Sequence, residues 1–142
     1  MAVEYVIQAP HQHSHEAQAV LRLAQAMQRA FAASDSFYLL AANVRYWQTQ
    51  LDALVLSPGA ITVIELKSCG EPVSGRADGP WRITGREDRI RGGSHENPYQ
   101  QVVSAREKLI KYLDRNRRRF LEGSRAKEMA HRWGHTSAAI VF

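Results

Sequence analysis

A chain of 142 residues, 44% apolar and 23% charged, is sized for one domain with one core. It has no run of 18 apolar residues to span a bilayer, and its start lacks the basic-then-apolar layout of a secretory signal. One cysteine, Cys69, excludes an internal disulfide and fits a reducing compartment, so the cytoplasm is the expected location. Nineteen Lys and Arg against fourteen Asp and Glu give a net charge of +5, which favours a polyanionic partner through counterion release. That charge alone is a weak argument, because many basic proteins never touch nucleic acid.

Residues 1–13 read as a polar lead-in, His-rich at its end, with the domain proper over 14–142. Ser14 or the residue before it is placed to cap a helix over 15–33, whose apolar positions Val20, Leu21, Leu23, Ala24, Met27 and Phe31 recur at helical spacing. Ala-Ser-Asp-Ser at 33–36 ends it. Three strands follow, Phe37–Val44, about Thr49–Leu56 and Ile61–Lys67, the last two joined through Ser57-Pro58-Gly59-Ala60. Residues 68–96, rich in Gly, Ser, Arg and Glu, form an excursion in which Trp81-Arg82-Ile83 is a short strand. Asn97-Pro98 opens a long helix with Asn97 as its cap, and Val102, Val103, Ala105, Leu109, Tyr112 and Leu113 mark its buried side. The basic run Arg115-Asn116-Arg117-Arg118-Arg119 comes next, and Ser137–Phe142 reads as a buried strand. The order is α-β-β-β-α-β: an α/β fold with a mixed sheet and helices packed on it. A last strand that stops at the final residue suggests a piece of a longer protein, with further domains beyond Phe142.

Alternation in the strand Ile61–Lys67 puts Ile61, Val63, Glu65 and Lys67 on one face and Thr62, Ile64 and Leu66 on the other. If Ser57–Ala60 is the connection, Leu56 pairs with Ile61, and counting back sets Asp52 opposite Glu65; a two-residue Pro58-Gly59 turn gives the same register. Opposed side chains in an antiparallel pair have Cβ atoms about 4.5–5.5 Å apart, where like charges repel. A divalent cation would remove that penalty, since Mg²⁺ takes oxygen ligands from one or two carboxylates plus a substrate phosphate. Such a site polarises the phosphate and acidifies a bound water, and Lys67 on the same face is placed to stabilise developing charge or orient that water. An isolated E-x-K is common and more often a solvated ion pair. The conjunction with an Asp in register on the preceding strand gives it weight here.

These residues resemble a known family. QLDALVLSPGAITVIELKSCGEPVSG, then a Trp, then NPYQQ opening a helix, is similar to the nuclease-related domain family of the PD-(D/E)XK nuclease superfamily. The family pattern falls on Glu16, Asp52, Gly59, Glu65, Lys67, Gly70, Trp81, Asn97, Pro98 and Gln101, and the likeness spans about 14–142. His15 stands where the family usually has Gly before its early Glu. The resemblance implies a restriction-endonuclease-like core and Mg²⁺-dependent (or Mn²⁺-dependent) cleavage of nucleic acid. It implies metal binding by Asp52 and Glu65 with the Leu66 backbone carbonyl, and makes Gln101 a contact to substrate or to the lysine. Glu16, read by itself, merely complements the helix dipole; its functional reading is a further metal ligand or water contact.

Other features carry less. His11, His13 and His15 alternate in the lead-in and read as solvated. His131 and His135 are four apart, but Gly134 interrupts the helix and only one thiol is present, which disfavours a zinc site. Lys108, Lys111, Arg115, Arg117, Arg118 and Arg119 make a path for DNA phosphates, with RNA as the alternative strand, and Arg86, Arg89 and Arg91 are a second candidate. Trp47, Trp81 and Trp133 read as packing residues, and nothing places a base to activate Cys69. The expected function is metal-dependent hydrolysis of phosphodiester bonds in DNA. Its rivals are a non-catalytic nucleic-acid-binding module and a regulatory interaction domain of a multidomain protein.

Overall fold

The computed structural model describes residues 3–10, 13–128 and 132–142. A five-stranded mixed sheet in the order β1-β2-β3-β4-β8 carries one long helix on each face. Its strands are β1 (Val3–Ile7), β2 (Tyr38–Tyr46), β3 (Thr49–Ser57), β4 (Ala60–Leu66) and β8 (Ser137–Val141), and its helices are α1 (Ser14–Ala30) and α2 (Pro98–Phe120). Parallel pairs β1/β2 and β4/β8 flank the antiparallel meander β2-β3-β4, so α1 and α2 each serve as the crossover of a parallel pair. The expected α-β-β-β-α-β core is present. Residues 3–7, expected to be lead-in, add a strand before it. Its Val-Glu-Tyr-Val-Ile run pairs with β2 and places Val3 in the core, with Tyr5 packed against it.

Helix α1 buries Val20, Ala24 and Met27 against Leu40, Ala42, Ala53 and Ile64. On the other face, Val102 and Leu109 of α2 meet Tyr46, Leu51 and Val63, with Ala105, Tyr112 and Leu113 packed beside them. Each such aliphatic side chain contributes about 1.5–3 kcal/mol on burial. Strand β4 is therefore covered on both faces, which is why Ile61-Thr62-Val63-Ile64 is almost continuously apolar. Pro58 and Gly59 form the two-residue β3–β4 turn, Gly59 supplying φ +77°.

Between β4 and α2 the excursion builds a small antiparallel sheet from β5 (Val73–Ser74), β6 (Trp81–Ile83) and β7 (Arg89–Ile90). Asn97, fully buried, ties it down: its Oδ1 accepts from the Gln100 amide at 2.8 Å, capping α2, and its Nδ2 donates to the Gly79 carbonyl at 2.7 Å. Gly92 lies so close that a Cβ there would stand 2.0 Å from the Asn97 carbonyl oxygen. Helix α2 runs on through the basic run to Phe120, further than expected, because its apolar stripe continues to Tyr112 and Leu113 and no breaker intervenes. A short helix α3 (Ser124–Glu128) and a 3₁₀ turn (Arg132–His135) lead into β8. His11 and His131 lie outside the described residues. No helix among the described residues is long and apolar enough to cross a membrane.

Candidate active site

The register Leu56↔Ile61 through Ala53↔Ile64 runs to the end of β4, and its continuation sets Asp52 opposite Glu65. The ladder itself stops at Ala53. Asn43, opposite Asp52 on β2, adopts φ +50°, and the alternation of faces switches there: Leu40, Ala42 and Ala53 belong to the α1 side, while Val44, Tyr46 and Leu51 belong to the α2 side. Released from regular pairing, the Asp52 carboxylate accepts the Leu66 amide at 2.8 Å, standing in for a backbone carbonyl. Leu66 shares the strand edge of Thr62 and Ile64, which pair with β3, so its own carbonyl is directed toward the Asp52 side.

Glu65 is only 7% exposed, unusual for a carboxylate. Its Oε1 lies 2.7 Å from Lys67 Nζ, and Lys67 Nζ also donates to Gln101 Oε1 at 3.0 Å. Burial and the facing charge of Asp52 push the Glu65 carboxyl above its ordinary value, outweighing the hydrogen bonds and charge of Lys67 and the Gln101 amide that pull the other way. Lys67 is thus held by two partners at the strand end, and Gln101 reaches it from one turn into α2. Glu65 comes two residues after Val63, which packs on the α2 side, and the Gln101 amide of α2 bonds its carboxylate at the strand end.

In front of these groups lies an open cleft of about 770 Å³, bounded by His15, Glu16 and Arg22 of α1, by Asp52, Glu65 and Lys67, and by the end of β8. Glu16 also shares a smaller hollow with Asp52, Asn43, Gln50 and Leu66. All five side chains expected at the site, Glu16, Asp52, Glu65, Lys67 and Gln101, therefore lie around one strand end. Among the described residues no group of three or more His, Cys, Asp and Glu gathers as a metal cluster. What gathers is two carboxylates beside a strand-end carbonyl, hard oxygen donors of the kind that suit Mg²⁺ and Mn²⁺.

Asn43 was not expected. Its Nδ2 donates to the Ala9 and Pro10 carbonyls at 2.8 and 2.7 Å, and its Oδ1 accepts from Gln50 Nε2 at 2.6 Å, which fixes the switch in β2 and β3 beside Asp52. The signal was an Asn inside an apolar strand, since Asn tolerates the left-handed region better than most residues.

The expected phosphate path is divided. Lys108, Lys111, Arg115, Arg118 and Arg119 are exposed and follow each other at helical spacing on one side of α2, and among the described residues none of them pairs with an acid. Arg117 lies off that stripe, bonded to Asp114 Oδ1 at 2.9 Å. In the excursion Arg86 pairs with Glu71 at 2.7 Å, leaving Arg89 and Arg91 exposed. Cys69 borders the cleft and points its thiol at the Glu71 carbonyl.

A mixed sheet with an acidic pair at the end of two adjacent strands, a lysine beside it and a helix on each face is a restriction-endonuclease-like core. The model of the nuclease-related domain (NERD) matches residues 13–132, and the chain belongs to that family. No curated protein and no solved structure matches the chain.

Proposed function

We propose that this domain is a metal-dependent nuclease that hydrolyses phosphodiester bonds in DNA. The observation that carries the reading is the buried, destabilised Glu65 carboxylate facing Asp52 across the β3–β4 register, with Lys67 bound at its side. Lys67 offsets only part of the burial and repulsion at Glu65, so a divalent cation would relieve the rest, and binding nucleic acid alone gains nothing from acids turned toward phosphates. Asp52, Glu65 and the Leu66 carbonyl would hold Mg²⁺ or Mn²⁺, which when bound polarises the phosphate and acidifies a water.

The protein's own groups do the rest. Lys67 Nζ, positioned by Glu65 and Gln101, orients the attacking water and faces the negative charge that builds on the phosphate as the new P–O bond forms and the ester P–O bond breaks. Gln101 is a positioning residue acting through that lysine. Glu16 sits across the cleft from Asp52, where it supplies a further water or metal contact. The exposed basic stripe of α2, which pairs with no acid among the described residues, meets the phosphate backbone. Family membership supports nucleic acid as the partner.

The test is cleavage of plasmid and linear DNA with Mg²⁺, Mn²⁺ or EDTA. Cleavage is expected with either ion, none in EDTA, and none from Asp52→Asn, Glu65→Gln or Lys67→Ala. Wild-type protein that binds DNA but cuts none with any divalent ion would make this a binding module instead.

A further inference from the structure

The tip of the β2–β3 hairpin has a composition that core packing does not explain. Tyr46 pairs with Thr49, so Trp47 and Gln48 form a two-residue loop, and Trp47 takes φ +50° at its first position. That place favours glycine, and a side chain with a Cβ there costs roughly 1–2 kcal/mol. The indole so placed is 56% exposed. It stands edge-on to Tyr112, with ring centroids 5.0 Å apart, and Arg115 lies over its ring at 5.5 Å. Phe120, 53% exposed, adjoins Tyr112 at 6.3 Å. Strained backbone that holds a large aromatic outward is a reason to look for a ligand.

The surroundings say which ligand. The ledge sits in the basic stripe, between Lys111, Arg115 and Arg119, none of which pairs with a described acid. It also lies toward the end of the sheet that carries the candidate site, where Gln101 of the same helix α2 reaches Lys67. Trp47 is five residues before Asp52 on the hairpin, about 16 Å along a strand. Along α2, Arg115 is fourteen residues from Gln101, about 21 Å. At a stacked rise of about 3.4 Å, five or six nucleotides cover that distance. A duplex keeps its bases stacked on one another and would offer this ledge only sugar and phosphate. Aromatic rings interleaved with arginines suit unpaired bases.

We infer that Trp47, Tyr112 and Phe120 form a stacking platform for a single nucleic-acid strand, whose backbone follows Lys108, Lys111 and Arg115 toward Lys67. The inference rests on the nuclease reading and narrows it: the strand that reaches the site is unpaired, as a single-stranded molecule or a frayed end.

The experiment compares labelled oligonucleotides of one length, a dT strand and a duplex, by fluorescence anisotropy on the metal-free full chain. The variants are Trp47→Gly, which suits the backbone at φ +50°, and Trp47→Phe, which keeps a ring. The wild type should bind the single strand more tightly than the duplex. Trp47→Gly should lose about tenfold for the single strand and less than twofold for the duplex, and Trp47→Phe should recover most of the loss. Equal losses for both ligands, or none, would overturn the platform while leaving Asp52-dependent cleavage standing. Sedimentation showing that Trp47→Gly abolishes a dimer with unchanged single-strand affinity would overturn it in favour of self-association. Absence of all binding and all cleavage would sink both readings.

Discussion

Asp52 accepts a hydrogen bond from the backbone amide of Leu66 where the β3–β4 ladder would otherwise have placed a carbonyl. The same carboxylate that faces Glu65 therefore also closes the strand pair. Asparagine can keep that bond through its Oδ1 and alanine cannot. Asp52→Asn should hold stability within about 1 kcal/mol of wild type, while Asp52→Ala should lose about 1–2 kcal/mol by leaving the Leu66 amide unpaired. Urea unfolding separates the two, and equal losses would show that the bond contributes nothing.

Lys67 is held by Glu65 and Gln101, both at hydrogen-bonding distance. Lys67→Ala leaves Glu65 buried beside Asp52 without its cation, and should destabilise the fold by roughly 1–3 kcal/mol, less than a wholly sealed pair because the carboxyl can take up a proton. Gln101→Ala removes only a neutral partner and should cost about 1 kcal/mol or less. On DNA, both should reduce the cleavage rate more than the affinity, Lys67→Ala by the larger factor. Single-turnover rates against binding curves would show it, and a loss confined to affinity would remove Lys67 from the chemistry.

Glu65 titrates above its ordinary value of 4.5 because burial and Asp52 disfavour its charge. The folded chain therefore holds that proton more tightly than the unfolded chain does. The stability Glu65 contributes is fully present below the ordinary carboxylate range and is lost as pH rises through its raised folded value. Glu65→Gln does not titrate. In metal-free buffer its melting temperature should gain on wild type as pH rises from about 4 to neutrality. A difference that is flat with pH, or shrinks, would contradict the assigned direction.

Asn97 caps α2 with its oxygen and binds the excursion with its amide nitrogen, while fully buried. Asn97→Ala should cost about 2–4 kcal/mol, a cap plus a set of orphaned carbonyls. Asn97→Asp keeps the cap but sets a charge against the Gly79 carbonyl. It should therefore loosen residues 76–79 specifically, which hydrogen exchange would detect as faster exchange there with the middle of α2 unchanged.

The division of the basic run has its own readout. Arg115 and Arg118 stand on the open stripe, while Arg117 is turned away and neutralised by Asp114. Arg118→Ala should flatten the plot of log K against log salt by about 0.7–0.9 and Arg117→Ala by much less. Equal slopes for the two would show that the strand does not follow this stripe.

Much of the site was legible in the chain because strand alternation and a two-residue turn are local rules. Pro58-Gly59 sets the register, the register sets Asp52 against Glu65, and alternation puts Lys67 on the same side as Glu65; each step spans fewer than fifteen residues. The Asn97 cap of α2 and the apolar stripes of both helices were legible for the same reason, whereas at the start of α1 His13 makes no side-chain cap. Strand β1 was not legible, although Val3, Tyr5, Val6 and Ile7 are good strand formers, because so short a run gains a partner only through pairing with β2 across the whole of α1. Nor was the turn of Asn43, whose φ is held by carbonyls of Ala9 and Pro10 more than thirty residues away. Only the packed fold raised the Glu65 carboxyl, because desolvation depends on what both helices and two neighbouring strands bring around it. The exposure of Trp47 against Tyr112 and Arg115 was likewise decided by the docking of α2, which sequence spacing could order along the helix but could not bring to the hairpin tip.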